Sequence, residues 1–277
     1  MRLLKHRLWT AAIIVTVFST ALHTLPEQYF LASLVPVVLV AGWEWSNLAR
    51  ITNTHLQVGF LLLIFLLVCL IGCVLNFFGT VDFSAGKIIL IFAVLLWCLN
   101  LIFLKRYPSG IAFWSNQFVF SLVGALIIVF TWASILVILG HAEGRLMLMF
   151  SILIVVAADA GGYFGGKLFG NRQLSPSLSP GKTKEGFACG LICQMPIAVI
   201  FGYFFPKSQL IETFILLIIP VALFSVVGDL FESMIKRISG FKDSSNLLPG
   251  HGGVLDRIDG YMAALPLFGL LLLLRPL

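Results

Sequence analysis

The chain has 277 residues, of which 60% are hydrophobic and 11% charged, with a formal net charge of +6. A soluble domain carries about a quarter charged residues, so a soluble globular fold is excluded and the chain is read as polytopic and membrane-embedded. The basic balance also suits an anionic membrane surface.

Apolar segments long enough to cross a hydrocarbon core of about 30 Å are read at 8–25, 29–46, 57–78, 87–104, 118–139, 146–165, 188–205, 211–232 and 260–276. They predict an all-α polytopic membrane protein with about nine transmembrane helices. The first segment follows Arg2, Lys5 and Arg7 without a convincing small-x-small cleavage site, so it is read as a retained helix. With the N-terminus cytoplasmic, fourteen of the 18 Lys and Arg fall inside and four (Lys87, Arg145, Lys207 and Arg275) outside, a strong positive-inside bias. The polar loops 166–187 and 233–259 then both face the cytoplasm. Residues 1–145 are read as about five N-terminal helices, and 146–277 as the region that carries the chemistry.

In the N-terminal half, Trp43 and Trp45 read as interfacial anchors at the end of the second helix. Glu44 between them is either functional or simply solvated at that interface. Cys69 with Cys73, and Cys189 with Cys193, have i,i+4 spacing, but no His lies at ligand spacing from either pair. They are read as small apolar residues, with no disulfide and no zinc assigned.

Asp159 interrupts the sixth apolar segment, and an ionisable group at membrane depth points to function. Gly161, Gly162, Gly165 and Gly166 behind it give small-xxx-small pairs that allow close helix packing. The Gly-Lys-Thr at 181–183 is no P-loop, because Pro176 stands where that motif needs Gly. Lys182, Thr183 and Lys184, on a loop stiffened by Pro176 and Pro180, still suit a phosphate clamp.

Residues 225–260 hold nine of the 30 charged residues, together with His251. Asp229, Glu232, Ser233 and Lys236 recur at helical spacing and share a face, and Glu232 reads equally well as an ion-pair partner of Lys236. Gly240 to Gly253 is a loop whose glycines let backbone amides approach an anion, with Lys242 and Asp243 near its start and His251 near its end. Asp256, Arg257 and Asp259 open the ninth helix, and Asp256 and Asp259 are well placed for a hard cation with Asp229. Carboxylates around a divalent ion, ringed by Lys and Arg, suit phosphoryl-type transfer.

Ser233, Lys236, Arg237, Lys242, Asp243, Ser245, Leu248, Pro249, His251, Gly252, Gly253, Asp256, Arg257 and Asp259 fill every fixed position of a 27-residue signature. In this the chain resembles the phosphatidate cytidylyltransferase (CDP-diacylglycerol synthase) family. The upstream segments 159–163 and 174–186 are similar to that family as well, although Lys184 stands where Trp is common and Gly162 where Ala is usual. The resemblance covers about 159–260; the N-terminal half matches in hydropathy only. It implies transfer of a cytidylyl group from CTP to phosphatidate, giving CDP-diacylglycerol and pyrophosphate, for phospholipid synthesis at a bacterial inner membrane. It implies that Asp229 and Asp256 hold Mg2+, with room for a second cation, and that Asp259 supports them. Lys182, Lys184, Lys236, Arg237, Lys242 and Arg257 become phosphate ligands shared between CTP and lipid, with His251 as a donor. Asp159, Thr183, Ser233, Asp243, Gly252 and Gly253 complete the implied site. Partners are then CTP, phosphatidate and the bilayer, with no nucleic acid; a homodimer stays open. Two rivals remain: a CTP-dependent lipid kinase, which would move the γ-phosphoryl group, and a transporter. Against the transporter, the charges crowd into the C-terminal half with no matching set earlier.

Overall fold

The structure, a computed structural model, describes residues 2–109, 111–205, 210–248, 250 and 252–274. Its elements are α1 (Arg2–Thr24), α2 (Glu27–Ser33), α3 (Val35–Leu48), α4 (Thr54–Val74), α5 (Phe83–Arg106), α6 (Ile111–Trp114), α7 (Gln117–Leu139) and α8 (Gly144–Phe169). A hairpin of β1 (Gln173–Ser175) and β2 (Ser179–Thr183) follows. Then come α9 (Lys184–Ile192), α10 (Gln194–Phe204), α11 (Leu210–Thr213), a π-helical turn (Phe214–Ile218), α12 (Ile219–Ser239) and α13 (Leu255–Leu274).

Short polar side chains set where several of these helices begin. Asn53 accepts from the His55 amide at 2.8 Å, Asp82 from Ser84 and Ala85 at 2.9 and 3.1 Å, and Asn116 from Phe118 and Val119 at 3.0 and 3.3 Å. Each satisfies amides that the first helical turn leaves unpaired. Gly240, at φ 81°, ends α12 in the left-handed conformation that glycine adopts without strain.

Eight helical stretches among the described residues are long and apolar enough to cross a membrane, with α2–α3, α9–α10 and α11–α12 each counting as one. α1 contributes a shorter apolar stretch, Ala12–Thr24, so the expected nine segments appear as eight full-length spans and this one. Two boundaries differ from the sequence reading. α12 continues past 232 to Ser239, and α13 starts at Leu255, leaving 240–254 as the loop between them. The polar connection after α8 is a hairpin, with Gln173 opposite Thr183 and Ser175 opposite Ser179.

α7 and α13 form the inside of the bundle. In their most apolar windows 67% and 61% of the residues are buried, against 22% in α4 and α5. The outer helices turn Leu62, Phe65, Leu66, Phe92 and Leu95 outwards, as lipid-facing helices do. α13 packs against α12, α7, α5, α8 and α3, and thereby ties both halves of the chain together.

Hydrocarbon gives two helices little reason to associate beyond close packing. α8 and α9 meet through glycines on both helices: a β-carbon on Gly161 of α8 would lie 2.7 Å from Sγ of Cys193, the residue that follows α9, and one on Gly190 of α9 would lie 2.7 Å from the Ala158 carbonyl oxygen. Cys189 packs into the same seam opposite Gly165, and all five cysteines are free. Gly190→Val should therefore force backbone apart and cost about 1–3 kcal/mol, seen as a lower apparent melting temperature in detergent. An unchanged melting temperature would contradict the close α8–α9 contact.

Candidate active site

α8, β2, α12 and α13 converge where small residues let their backbones approach. A β-carbon on Gly228 would collide with the Asp259 carbonyl oxygen, and one on Gly260 would sit 3.2 Å from Val155 Cγ1 and 3.4 Å from the Ser225 carbonyl oxygen. At this junction Lys182, carried by β2, forms an ion pair with Asp229 on α12. Both side chains keep about a quarter of their surface open, 28% and 26%. Asp159 on α8 and Asp259 on α13 lie within electrostatic range of Asp229 and Lys182, and Asp159 also of Arg257. Tyr261 lies within range of Asp159 and Asp259. Three carboxylates thus lie within electrostatic range of one another with few cations, an arrangement that draws positive charge.

About two turns further along α12, Lys236 Nζ lies 2.6 Å from Glu232 Oε2 and 2.6 Å from Asp256 Oδ1. The Glu232 side chain is fully buried and that of Asp256 is 5% exposed, so this triad replaces lost hydration by ionic contact. The expected Glu232–Lys236 pair is therefore present, with Asp256 as a third member. Asp256 Oδ2 accepts from the Ser244 amide (2.9 Å), the Ser244 hydroxyl (2.9 Å) and the Gly253 amide (2.7 Å). Gly252, at φ 79°, brings the chain round in the left-handed region, and a β-carbon there would lie 2.5 Å from Asp256 Oδ2. Asp256 consequently holds the start and end of the loop against α13.

A second carboxylate grips the same loop from the N-terminal half. Glu44, on α3, is 0% exposed. Its Oε1 accepts from the Ser245 hydroxyl (2.6 Å) and the Val254 amide (2.9 Å); its Oε2 accepts from the Leu255 amide (2.7 Å) and the Ser244 hydroxyl (3.1 Å). The solvated alternative for Glu44 is overturned by this burial. Trp45 is not an interfacial anchor either: it is buried, donates to the Phe120 carbonyl at 3.0 Å and stacks on Phe231. Only a Glu inside an apolar helix end signalled this contact in the sequence, and Ser244 carried no signal at all.

The remaining candidates are dispersed around this centre. Thr183 caps α9, accepting from the Gly186 amide at 3.0 Å. Lys184, Arg237 and Arg257 are exposed and form no ion pair among the described residues. Ser233 is half-buried on α12. Lys242 and Asp243 are exposed and line a groove of about 700 Å³ with Trp43, Asn47, Arg50 and Phe241, away from the Lys182–Asp229 pair. His251 lies outside the described residues, as does Pro249.

Among the described residues no group of three His, Cys, Asp or Glu side chains is arranged to enclose a metal ion. Mg2+ does not require such a cage; it is commonly held by one or two carboxylates, with phosphate oxygens and water completing the shell. Asp229 fits that mode, since an exchangeable ammonium group is its partner. Asp256 is open to a cation only at Oδ1, where the Lys236 ammonium sits.

Residues 5–274 match the model of a family described as "Cytidylyltransferase family". The chain is 38% identical to a phosphatidate cytidylyltransferase of Haemophilus influenzae, over 96% of this chain and 97% of that one. It is 33% identical to one from Pseudomonas aeruginosa, over 98% of this chain and 97% of the other. A third, from Staphylococcus saprophyticus, is 41% identical over 48% of this chain and 51% of its own length.

Proposed function

We propose, from the premise that this chain belongs to the cytidylyltransferase family, that it is an integral membrane phosphatidate cytidylyltransferase. It makes CDP-diacylglycerol and pyrophosphate from CTP and phosphatidate. One observation carries this reading: Lys182, from one motif segment, pairs with Asp229 within electrostatic range of Asp259, and Lys236 and Asp256, from the 27-residue signature, pair beside them.

The reaction brings two polyanions together, and repulsion between them is the first obstacle. Lys182 beside Asp229, and Arg257 within range of Asp159, offset that charge and orient the phosphates. The exposed Lys184, Arg237 and Lys242 are assigned to phosphate oxygens that extend beyond this pair. A phosphate oxygen of phosphatidate forms the new bond to the α-phosphorus of CTP. The bond from that phosphorus to the bridging oxygen breaks, and its electron pair leaves with pyrophosphate. The nucleophile needs no base, because the second pKa of a phosphate monoester is about 6. His251 is accordingly assigned as a hydrogen-bond donor to phosphate. Asp229 would hold Mg2+, with Asp256 Oδ1 and Asp259 in support. When bound there, the ion neutralises developing charge on the phosphate oxygens. Asp159, Thr183, Ser233, Asp243, Gly252 and Gly253 shape the substrate site around these groups.

We place the N-terminus and this cleft on the cytoplasmic side of a bacterial inner membrane. The division of the 18 Lys and Arg, fourteen against four, supports that orientation. It gives the cleft access to cytoplasmic CTP and to lipid of the inner leaflet.

The acceptor decides between this reading and a lipid kinase. Purified protein with CTP and Mg2+ should release pyrophosphate with phosphatidate and not with diacylglycerol or a polyprenol. Release of CDP with an alcohol acceptor would contradict the reading.

A further inference from the structure

We propose that Glu44 is a positioning residue: its buried carboxylate clamps both ends of the 240–254 loop and sets Asp256 and Lys236 in working register. The proposal rests on the reaction assigned above, and adds to it a residue from the half of the chain that carries none of the family motifs.

The geometry argues for a clamp. A buried carboxylate is costly unless donors surround it, and all four donors to Glu44 belong to one loop and the residue that follows it. Ser244 and Ser245 come from its beginning, Val254 and Leu255 from its end and the first residue of α13. One carboxylate therefore fixes the separation of two points about ten residues apart. Ser244 carries the effect onward: its hydroxyl is shared between Glu44 Oε2 and Asp256 Oδ2, at 3.1 and 2.9 Å, and Asp256 holds Lys236. A hydroxyl has one proton, so it serves one carboxylate at a time and keeps the two coupled. Gly253 must lack a side chain here, since a β-carbon would collide with both Ser244 Oγ and the Glu44 carboxylate.

A clamp needs a fixed base, and α3 is one. Ser239 Oγ donates to the Leu48 carbonyl at 2.6 Å, and Arg50 Nη2 donates to the Ile238 and Ser239 carbonyls at 3.3 Å. These bonds fasten the end of α3 to the end of α12, so the Glu44 clamp and the Lys236–Asp256 contact share one frame.

Glu44→Gln keeps the shape but presents an amide N–H2 to donors, so it loses acceptors at one side of the loop and opposes donor to donor. Hydrogen exchange of full-length protein in detergent micelles, read by mass spectrometry over 244–255, is paired with steady-state kinetics. The expected result is faster exchange confined to that segment and a fall in kcat of about a hundredfold, as for a displaced catalytic group. The KM values should change far less than kcat. Glu44→Asp, which keeps the charge but is one methylene short, should recover only part of the loss. Wild-type kcat in Glu44→Gln would overturn the proposal. So would lost activity with unchanged exchange at 244–255, because Glu44 would then not act through the loop. Should Glu44→Gln fail to fold, Ser245→Ala removes one donor and leaves the carboxylate with three; it should speed the same exchange and lower kcat, and no change in either would overturn the clamp. Exchange is read without turnover, so wild-type protein that makes no CDP-diacylglycerol would sink the assigned reaction while the exchange pattern still decides the clamp.

Discussion

Asp229→Asn should lower turnover about a thousandfold or more and leave the protein folded and membrane-inserted. The carboxylate sits with Lys182 in a cleft where both side chains remain about a quarter exposed. A pair with that access to solvent contributes at most about 1 kcal/mol to stability, so neutralising it does little to the fold. Its loss for chemistry is far larger. In the proposed mechanism it removes the carboxylate assigned to a divalent cation, and it leaves Lys182 without its ion-pair partner. The check is kcat at saturating Mg2+ beside an apparent melting temperature. Substantial activity would remove Asp229 from the site, and a collapsed melting temperature would make it a structural residue.

Asp256→Asn should fail in both respects. Its side chain is 5% exposed, and it accepts from Lys236, from both the amide and hydroxyl of Ser244, and from the Gly253 amide. An Asn has one acceptor oxygen in place of two and must turn an N–H2 towards one of these donors. Breaking a buried pair from one side typically costs about 3–5 kcal/mol, which is a large fraction of a protein's total stability. The expected outcome is a sharply lower apparent melting temperature together with abolished turnover. Normal stability with abolished activity would mean that Asp256 acts on substrate or metal alone and does not hold the loop.

The contrast between these two residues bears on what the chain discloses before folding. Both were legible as candidates, Asp229 as a carboxylate among apolar helical residues that needs a partner and Asp256 through its three-residue spacing to Asp259 on one helix face. Their different roles were not, because the donors that distinguish Asp256 are backbone amides and a hydroxyl at Ser244, positions where residue type says little. The apolar segments were legible because spanning hydrocarbon demands length and hydropathy. Their ends were less so: the apolar run stops at 232, yet the helix continues to Ser239, with Lys236 turned inwards to Glu232 and Asp256, and only the helical spacing of Asp229, Glu232 and Lys236 hinted at it. The hairpin was missed because Pro176 and Pro180 in a short polar stretch read as an irregular loop. Glu44 was visible as an odd charge, but its donor Ser244 lies 200 residues away and nothing local pairs them.

The central claim is that this cleft transfers a cytidylyl group to a lipid phosphate. It is tested most directly with detergent-purified protein, phosphatidate, Mg2+ and CTP labelled separately at the α- and γ-phosphates. The account predicts that α label enters the lipid and γ label leaves as pyrophosphate. Label from the γ position in the lipid, or no label in lipid from either position, would contradict it.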